Sequence, residues 1–142
     1  MEPAPTGSDY DRDARLLSRS WCAHPARRAY LAAAKLIVDD PTDLANAGAA
    51  GALAVLAGIA AADAACCARL SARARGQDHR EATVLVSTIA PHGPAMAKDL
   101  DRLLNRKDSV HYGAAMISSA EGARLVGWAA RLVGHAHTAV EA

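Results

Sequence analysis

The chain has 142 residues, which is enough for one domain and short of two. Its hydrophobic fraction is 51%, yet aromatic residues make up only 4%, Phe is absent and about a quarter of the residues are Ala. Because Ala favours helices whereas strands favour β-branched and aromatic residues, this composition excludes a β-sandwich or barrel and predicts an all-α fold. The formal net charge of +1 gives no electrostatic indication of a nucleic-acid or membrane partner.

The spacing of apolar residues predicts one compact bundle of about five helices. We expect a single domain over residues 10–142, preceded by a disordered Pro/Gly/Ser-rich segment at residues 1–9. A short first helix is predicted at residues 10–23. The next helix is predicted to begin at Pro25, which suits a first helical turn, and to end before Pro41.

A long helix follows in the sequence. It is predicted to be capped by Thr42 or Asp43 and to continue to Gly76, because glycine readily adopts the left-handed conformation that ends helices. A further helix is predicted through about residue 89, because Asp78 and Glu81 have the spacing of a capping box.

A cluster of Pro, His and Gly at residues 91–94 separates that helix from the next one, which is marked by an apolar stripe at residues 96–103. The segment at residues 105–113 is polar and non-periodic, which predicts a loop or a frayed helix end. Ser118 and Glu121 form a second capping box, which predicts the start of the last helix.

Asp63 falls in the middle of an apolar stripe of the long helix. A carboxylate in such a position is costly unless it is paired or hydrogen-bonded. Asp63 is therefore interpreted either as an acid that holds an Arg or His of a functional site, or as a structural ion pair or a stripe edge that reaches solvent. The stripe consists of Leu56, Ile59, Cys66 and Leu70.

Small residues occupy much of the long helix and recur on the last one. They let helix backbones approach closely, and a chain of this size with few large side chains has a thin core. Association through a helical face would bury more apolar surface, so we predict a homodimer, with a close-packed monomer as the alternative. The residues concerned are Gly48, Gly51, Ala54, Ala57, Gly58, Ala61, Gly122, Gly127 and Gly134.

The cysteines and the apolar segments bear on cellular location. Cys22, Cys66 and Cys67 lack the spacing of a metal site and are predicted to be reduced, buried thiols of a cytoplasmic protein. Residues 1–8 lack the basic start and apolar core of a signal peptide. The least charged run, residues 44–62, approaches the length of a membrane span, but its small residues fit a buried bundle helix better, so neither a membrane partner nor a metal or cofactor is expected.

One polar segment contains side chains that are suited to catalysis. It places Arg106, four intervening residues and His111 between the last two predicted helices, with Tyr112 directly after the histidine. The spacing alone is not specific, because it occurs at three other places in the chain. Its position between the last two helices distinguishes this pair.

From about Pro25 to His137 the chain resembles the HEPN superfamily of all-α bundles, found in prokaryotic toxins, antiviral effectors and partners of minimal nucleotidyltransferases. The resemblance depends on helix order, on Arg106 and His111, on the leucine-rich sequence at residues 100–104 and on the acid-containing start of the last helix at residues 118–123. It implies a metal-independent endoribonuclease that acts as a homodimer, of toxin or defence type, with RNA as substrate and a nucleotidyltransferase-type or other protein as partner.

The resemblance also implies roles for individual residues. His111 would act as general base or acid on the 2′-hydroxyl or the leaving oxygen, and Arg106 would bind the phosphate. Asp63 would orient one of these two residues, and Lys107 would add a second cation. The products would carry 2′,3′-cyclic phosphate ends.

The alternative is a HEPN-like module that does not cleave RNA. Many relatives have a loop with Lys-Asp and Tyr-Gly but lack the histidine, and this chain has Lys107 and Asp108 followed by Tyr112 and Gly113. On that alignment the loop packs or binds, and the chain would be a dimeric binding module for nucleic acid, a nucleotide or a protein partner.

Overall fold

The computed structural model describes residues 22, 24–40, 42–72, 79–111 and 117–142. Every regular element in these ranges is an α-helix, which confirms the predicted all-α bundle. The disordered segment predicted at residues 1–9 and most of the helix predicted at residues 10–23 lie outside the described residues. The helices are α1 (Ala26–Val38), α2 (Asn46–Leu70), α3 (Arg80–Ser87), α4 (Gly93–His111) and α5 (Ser119–Glu141).

The central helix is α2, which packs against the four other helices. Thirteen of its residues are buried and eight of these are Ala, so its side chains leave room for larger ones from its neighbours. A Cβ atom on Gly58 would lie 2.5 Å from Cδ1 of Leu103 on α4 and 3.3 Å from Cδ2 of Leu132 on α5. Gly51, Gly58 and the buried alanines of α2 therefore serve the interior of the bundle. In contrast, Gly48 on α2 and Gly127 and Gly134 on α5 face open space.

The start of α2 differs from the prediction. The helix begins at Asn46 after Ala45, not at Thr42 or Asp43, and no side chain caps its first turn. Asp43 instead accepts a hydrogen bond from the Ala45 amide at 2.8 Å through Oδ1, and Asp40 accepts one from the Thr42 amide at 2.9 Å. These aspartates form turns before the helix because their short side chains bond to backbone two residues on.

The end of α2 is also earlier than predicted. The helix stops at Leu70 because Ser71 adopts the left-handed conformation, with φ 51° and ψ 33°, and its amide donates to the carbonyls of Cys66 and Cys67. The predicted continuation to Gly76 is therefore wrong. A serine has taken the conformation that the sequence pattern assigned to a glycine.

The short helix α3 ends in a tight turn before α4. His79, not the predicted Asp78, precedes its first residue, and the helix ends before Ile89. The turn needs glycine at the start of α4, because a Cβ on Gly93 would lie 2.6 Å from the carbonyl oxygen of Ser87. The predicted break at residues 91–94 is confirmed, although its last two residues already belong to α4.

α4 includes most of the segment for which a loop or a frayed end was predicted. Residues 105–111 are helical, so the loop interpretation is wrong for them, and residues 112–113 lie outside the described ranges. An apolar anchor explains the extension. Val110 packs against α2, where a Cβ on Gly51 would lie 3.0 Å from Cγ1 of Val110.

The start of α5 agrees with the prediction. Oγ of Ser118 accepts a hydrogen bond from the Glu121 amide at 3.1 Å, as expected of the first half of a capping box. Leu125 and Leu132 are fully buried on its inner side, and Trp128 is half-buried.

Cys22 and Cys67 form a disulfide, which corrects the prediction of three reduced thiols. Neighbouring helical residues point about 100° apart, so Cys66 faces the core while Cys67 faces the segment before α1. The Cα atoms of Cys22 and Cys67 are 5.5 Å apart, within the usual range for a disulfide. Cys66 is a buried free thiol, as predicted. Disulfides are typical of oxidising compartments, so the cysteines no longer support the predicted cytoplasmic location. That location stays a prediction.

In the described ranges, α2 is also the one helix long and apolar enough to cross a membrane, with a mean hydropathy of 1.8. Within the bundle, 67% of that window is buried. This burial agrees with the interpretation of the segment as a core helix.

Candidate functional site

Arg106 lies near the end of α4 and contacts the start of α5. Its Nη2 donates a hydrogen bond to Oε1 of Glu121, and the side chains are 37% and 33% exposed. The Nε atom of Arg106 is buried and has no hydrogen-bond partner among the residues that the structure describes. The acid that orients Arg106 is therefore Glu121, a residue for which the sequence had suggested only a capping role.

His111 lies on a different side of α4 from Arg106. Five residues of helix place the two side chains about 140° apart around the axis and about 7.5 Å apart along it. Arg106 continues the stripe of Asp99, whereas His111 continues the stripe of the buried residues Leu100 and Leu104. The two residues of the predicted motif therefore point in different directions on one chain.

The surroundings of His111 act on its pKa. The side chain is half-buried, and this loss of solvent lowers its pKa below the ordinary value. The charge of Lys107, one turn earlier, lowers the pKa further, and that of Asp108 opposes this effect. Compared with a solvent-exposed histidine, the imidazole therefore favours its neutral form.

The other residues of the predicted segment have different environments. Lys107 is half-buried on the same side of α4 as His111, and Asp108 is exposed. Tyr112 lies outside the described residues.

Asp63 lies away from Arg106. α2 and α4 are antiparallel with Gly58 beside Leu103, so Arg106 is level with a point near residue 55 of α2. Eight further residues of helix place Asp63 about 12 Å beyond that point. The structure thus does not bring Asp63 to Arg106, and the orienting role predicted for it has no support in this geometry.

Asp63 lies where its stripe approaches the surface. The residue is half-buried, and Leu56 and Leu70 on the same stripe are 37% and 36% exposed. The charge of Asp63 adds to the effect of burial, which raises the pKa of the Cys66 thiol to about 11. Asp63 therefore helps to keep that thiol protonated.

The structure also contains a buried carboxylate that the sequence analysis missed. Asp99 of α4 has only 6% of its side chain exposed and accepts hydrogen bonds from Arg131 of α5, at 2.9 Å from Nη2 and 3.3 Å from Nε. Nη1 of Arg102 lies 3.6 Å from the same carboxylate. A buried charge needs such partners because it has lost its water.

This ion-pair cluster continues along the contact between α4 and α5. The guanidinium carbon of Arg102 lies 5.4 Å from the centroid of a Trp128 ring, in cation–π geometry. Arg124 is exposed on the same side of α5. The surface holds four arginines and two carboxylates, and we call it the arginine seam. It consists of Asp99, Arg102, Arg106, Glu121, Arg124, Trp128 and Arg131.

A helical spacing in the sequence could have indicated the arginine seam. Its residues on α4 recur at i, i+3 and i+7, and those on α5 at i, i+3, i+7 and i+10, so each set lies on one side of its helix. The pairing of the two sides depends on the antiparallel arrangement of α4 and α5, which the sequence does not specify.

The structure indicates no metal centre in the described ranges, where no three His, Cys, Asp or Glu side chains form a group able to hold an ion. Compared with protein-family models, with curated proteins and with solved structures, the chain gives no match. The residues and contacts described above are therefore the basis for a functional proposal.

Proposed function

We propose that this chain is a HEPN-like helical domain that binds RNA through the arginine seam and does not cleave it. The observation that supports binding is the concentration of charge on one surface. Four arginines face two carboxylates there, although the whole chain has a net charge of only +1. Phosphate contacts from such arginines are the main source of affinity for nucleic acid.

The arginines of the seam are both fixed and accessible. Arg131 and Arg102 are anchored to Asp99, yet 56% and 36% of their side chains remain exposed. A guanidinium has five N–H donors, so a contact with one carboxylate leaves donors for a phosphate. The anchoring also lowers the conformational entropy that binding would cost.

The position of the motif residues supports binding without cleavage. Cleavage next to a 2′-hydroxyl needs a proton acceptor and a phosphate-binding group at the same phosphate. Here Arg106 is bonded to Glu121, and His111 points about 140° away from it around α4. One chain therefore lacks the convergent pair that the reaction requires.

The second candidate function is that of a metal-independent endoribonuclease. It is supported by the half-buried position of His111, which lowers the pKa of the imidazole and so favours the neutral form that a general base needs. In this case a homodimer would supply the missing convergence, with the Arg106 of one protomer and the His111 of the other at a single phosphate. The homodimer, a cytoplasmic location and a protein partner of toxin–antitoxin type belong to this proposal.

One experiment separates the two candidates. The purified protein is incubated with labelled structured RNA in EDTA beside its Arg106→Gln and His111→Ala variants, and both binding and chain length of the RNA are recorded. We expect the wild type to bind the RNA and leave it intact. Cleavage that both substitutions abolish would establish the second candidate instead, whereas equal trace cleavage by all three proteins would indicate a contaminating nuclease. A protein that binds no RNA would contradict both candidates.

Light scattering at micromolar concentration tests the homodimer. A mass of two chains supports it, and a mass of one chain would contradict the shared-site form of the second candidate.

A further inference from the structure

The centre of the arginine seam combines an aromatic ring with a guanidinium plane. Arg102 lies over Trp128, with 5.4 Å between the guanidinium carbon and the ring centroid, and it is also held by Asp99 at 3.6 Å. A guanidinium fixed in this way is a flat, delocalised cation with 36% of its side chain exposed. Nucleobases stack on planes of this kind as they do on aromatic rings.

Two arginines that could bind phosphate groups lie on either side of the Arg102–Trp128 pair. Along α5, Arg124 precedes Trp128 by about one turn and Arg131 follows it by about one turn, so the two arginines are about 10.5 Å apart along the axis. Arg131 is fixed by its fork of two hydrogen bonds to Asp99. Arg124 is exposed, and no carboxylate in the described ranges pairs with it.

On the basis of the proposed function, we propose that the arginine seam is a site for single-stranded RNA, in which one base stacks on the Arg102–Trp128 pair while Arg124 and Arg131 hold the phosphates on either side. A stacked base must be free of its neighbours, which a duplex does not allow without unpairing. The site therefore selects single strands over duplexes. It differs from the predicted motif because it uses neither His111 nor Lys107.

The geometry separates the two contributions to binding. Arg124 contributes charge only, since its side chain is exposed on the outside of α5. Trp128 contributes stacking through its aromatic ring. Trp128→Leu removes the ring but keeps an apolar side chain at this half-buried position. Arg28 on α1 is an exposed arginine on a helix that packs against α2 and α5, so Arg28→Gln is a matched control for the loss of one charge.

The test is fluorescence anisotropy with a labelled 12-nucleotide oligo(A) RNA, free and annealed to oligo(U), over a range of salt concentrations. We expect the wild type to prefer the single strand. Arg124→Gln should weaken binding about threefold or more and reduce the salt slope by about 0.7, the value for one phosphate contact of a single strand. Trp128→Leu should weaken single-strand binding about tenfold, reduce the preference over the duplex and leave the salt slope unchanged. Arg28→Gln should bind like the wild type.

The outcomes distinguish this site from the broader proposal. If the RNA binds but Arg124→Gln and Trp128→Leu behave like Arg28→Gln, the arginine seam is not the site, while RNA binding stands. If inorganic polyphosphate of equal charge competes as well as the RNA and Trp128→Leu has no effect, the seam is a general anion surface and the stacking site is overturned. If no RNA binds, both the site and the proposed function fail. Circular dichroism of each variant identifies any loss of fold, and Arg124→Gln remains decisive if Trp128→Leu is unstable.

Discussion

The two sides of α4 show two different ways of packing one helix in a bundle. On one side the buried Leu103 packs against the backbone of α2 at Gly58. On the other side Asp99, Arg102 and Arg106 meet α5 through ion pairs and a cation–π contact. The first contact is stable because it excludes water. The second is specific in its pairing but remains accessible, which is why we place the proposed RNA site there and not against α2.

The difference predicts that α2 tolerates added volume least. Gly58→Leu should lower the free energy of unfolding by about 3 kcal/mol, because even a Cβ would lie 2.5 Å from a buried Leu103 atom. Gly127→Leu is the matched control, since nothing lies within 4 Å of a Cβ at that exposed position. There the change should stabilise the helix by about 0.5 kcal/mol. Urea unfolding of the two variants measures both values, and equal losses would show that the contact between α2 and α4 is not tight.

On the other side of α4, the buried carboxylate should contribute more to stability than the exposed one. Asp99→Asn should cost about 2 kcal/mol, because a 6% exposed carboxylate loses its charge-assisted bonds to Arg131. Asp101→Asn should cost less than about 0.5 kcal/mol, because Asp101 and its partner Arg80 are each about half exposed. Thermal unfolding at low and high salt compares the two. A similar loss of stability in both variants would show that the buried Asp99 contributes no more than the half-exposed Asp101.

The ionisation of Cys66 tests how well the apolar side of α2 is shielded from water. Burial raises its pKa from 9.0 to about 11, so above pH 9 the unfolded chain releases a proton that the folded chain keeps. Stability from this group is therefore complete below pH 9 and decreases as the pH rises, by about 1 kcal/mol at pH 10. The comparison is the difference in unfolding free energy between the wild type and Cys66→Ala from pH 8 to pH 10. A difference independent of pH would mean that the thiol is not kept protonated by the fold.

Sequence patterns predicted those parts of the fold that depend on local signals. The Ala-rich composition predicted the helices, and Ser118 with Glu121 located the start of α5. Errors arose where contacts between helices override local preference. Val110 keeps the polar end of α4 helical by packing on Gly51, and Ser71 ends α2 in a conformation that the pattern had assigned to Gly76.

The candidate site was less predictable because it depends on which helix faces meet. Arg106 and His111 are close in sequence, but helical geometry separates them, whereas Asp99 and Arg131 are 32 residues apart and hydrogen-bonded. The helical spacing of the arginine-seam residues is visible in the sequence, but the pairing of Asp99 with Arg131 requires the antiparallel arrangement of α4 and α5. The disulfide between Cys22 and Cys67 was missed for the same reason, since it joins parts of the chain separated by 45 residues.

His111 provides the smallest expected effect, at the end of α4 where the two kinds of packing meet. Its pKa is lowered mainly by burial, with a contribution from Lys107, so on acidification the unfolded chain takes up a proton before the folded chain does. Stability from this residue is therefore complete above its ordinary pKa of 6.5 and decreases as the pH falls below that value. His111→Asn should consequently lose less stability than the wild type between pH 7 and pH 5. NMR titration of the imidazole checks the cause directly, and a midpoint at or above 6.5 would show that His111 is solvated and not part of the packed side of α4.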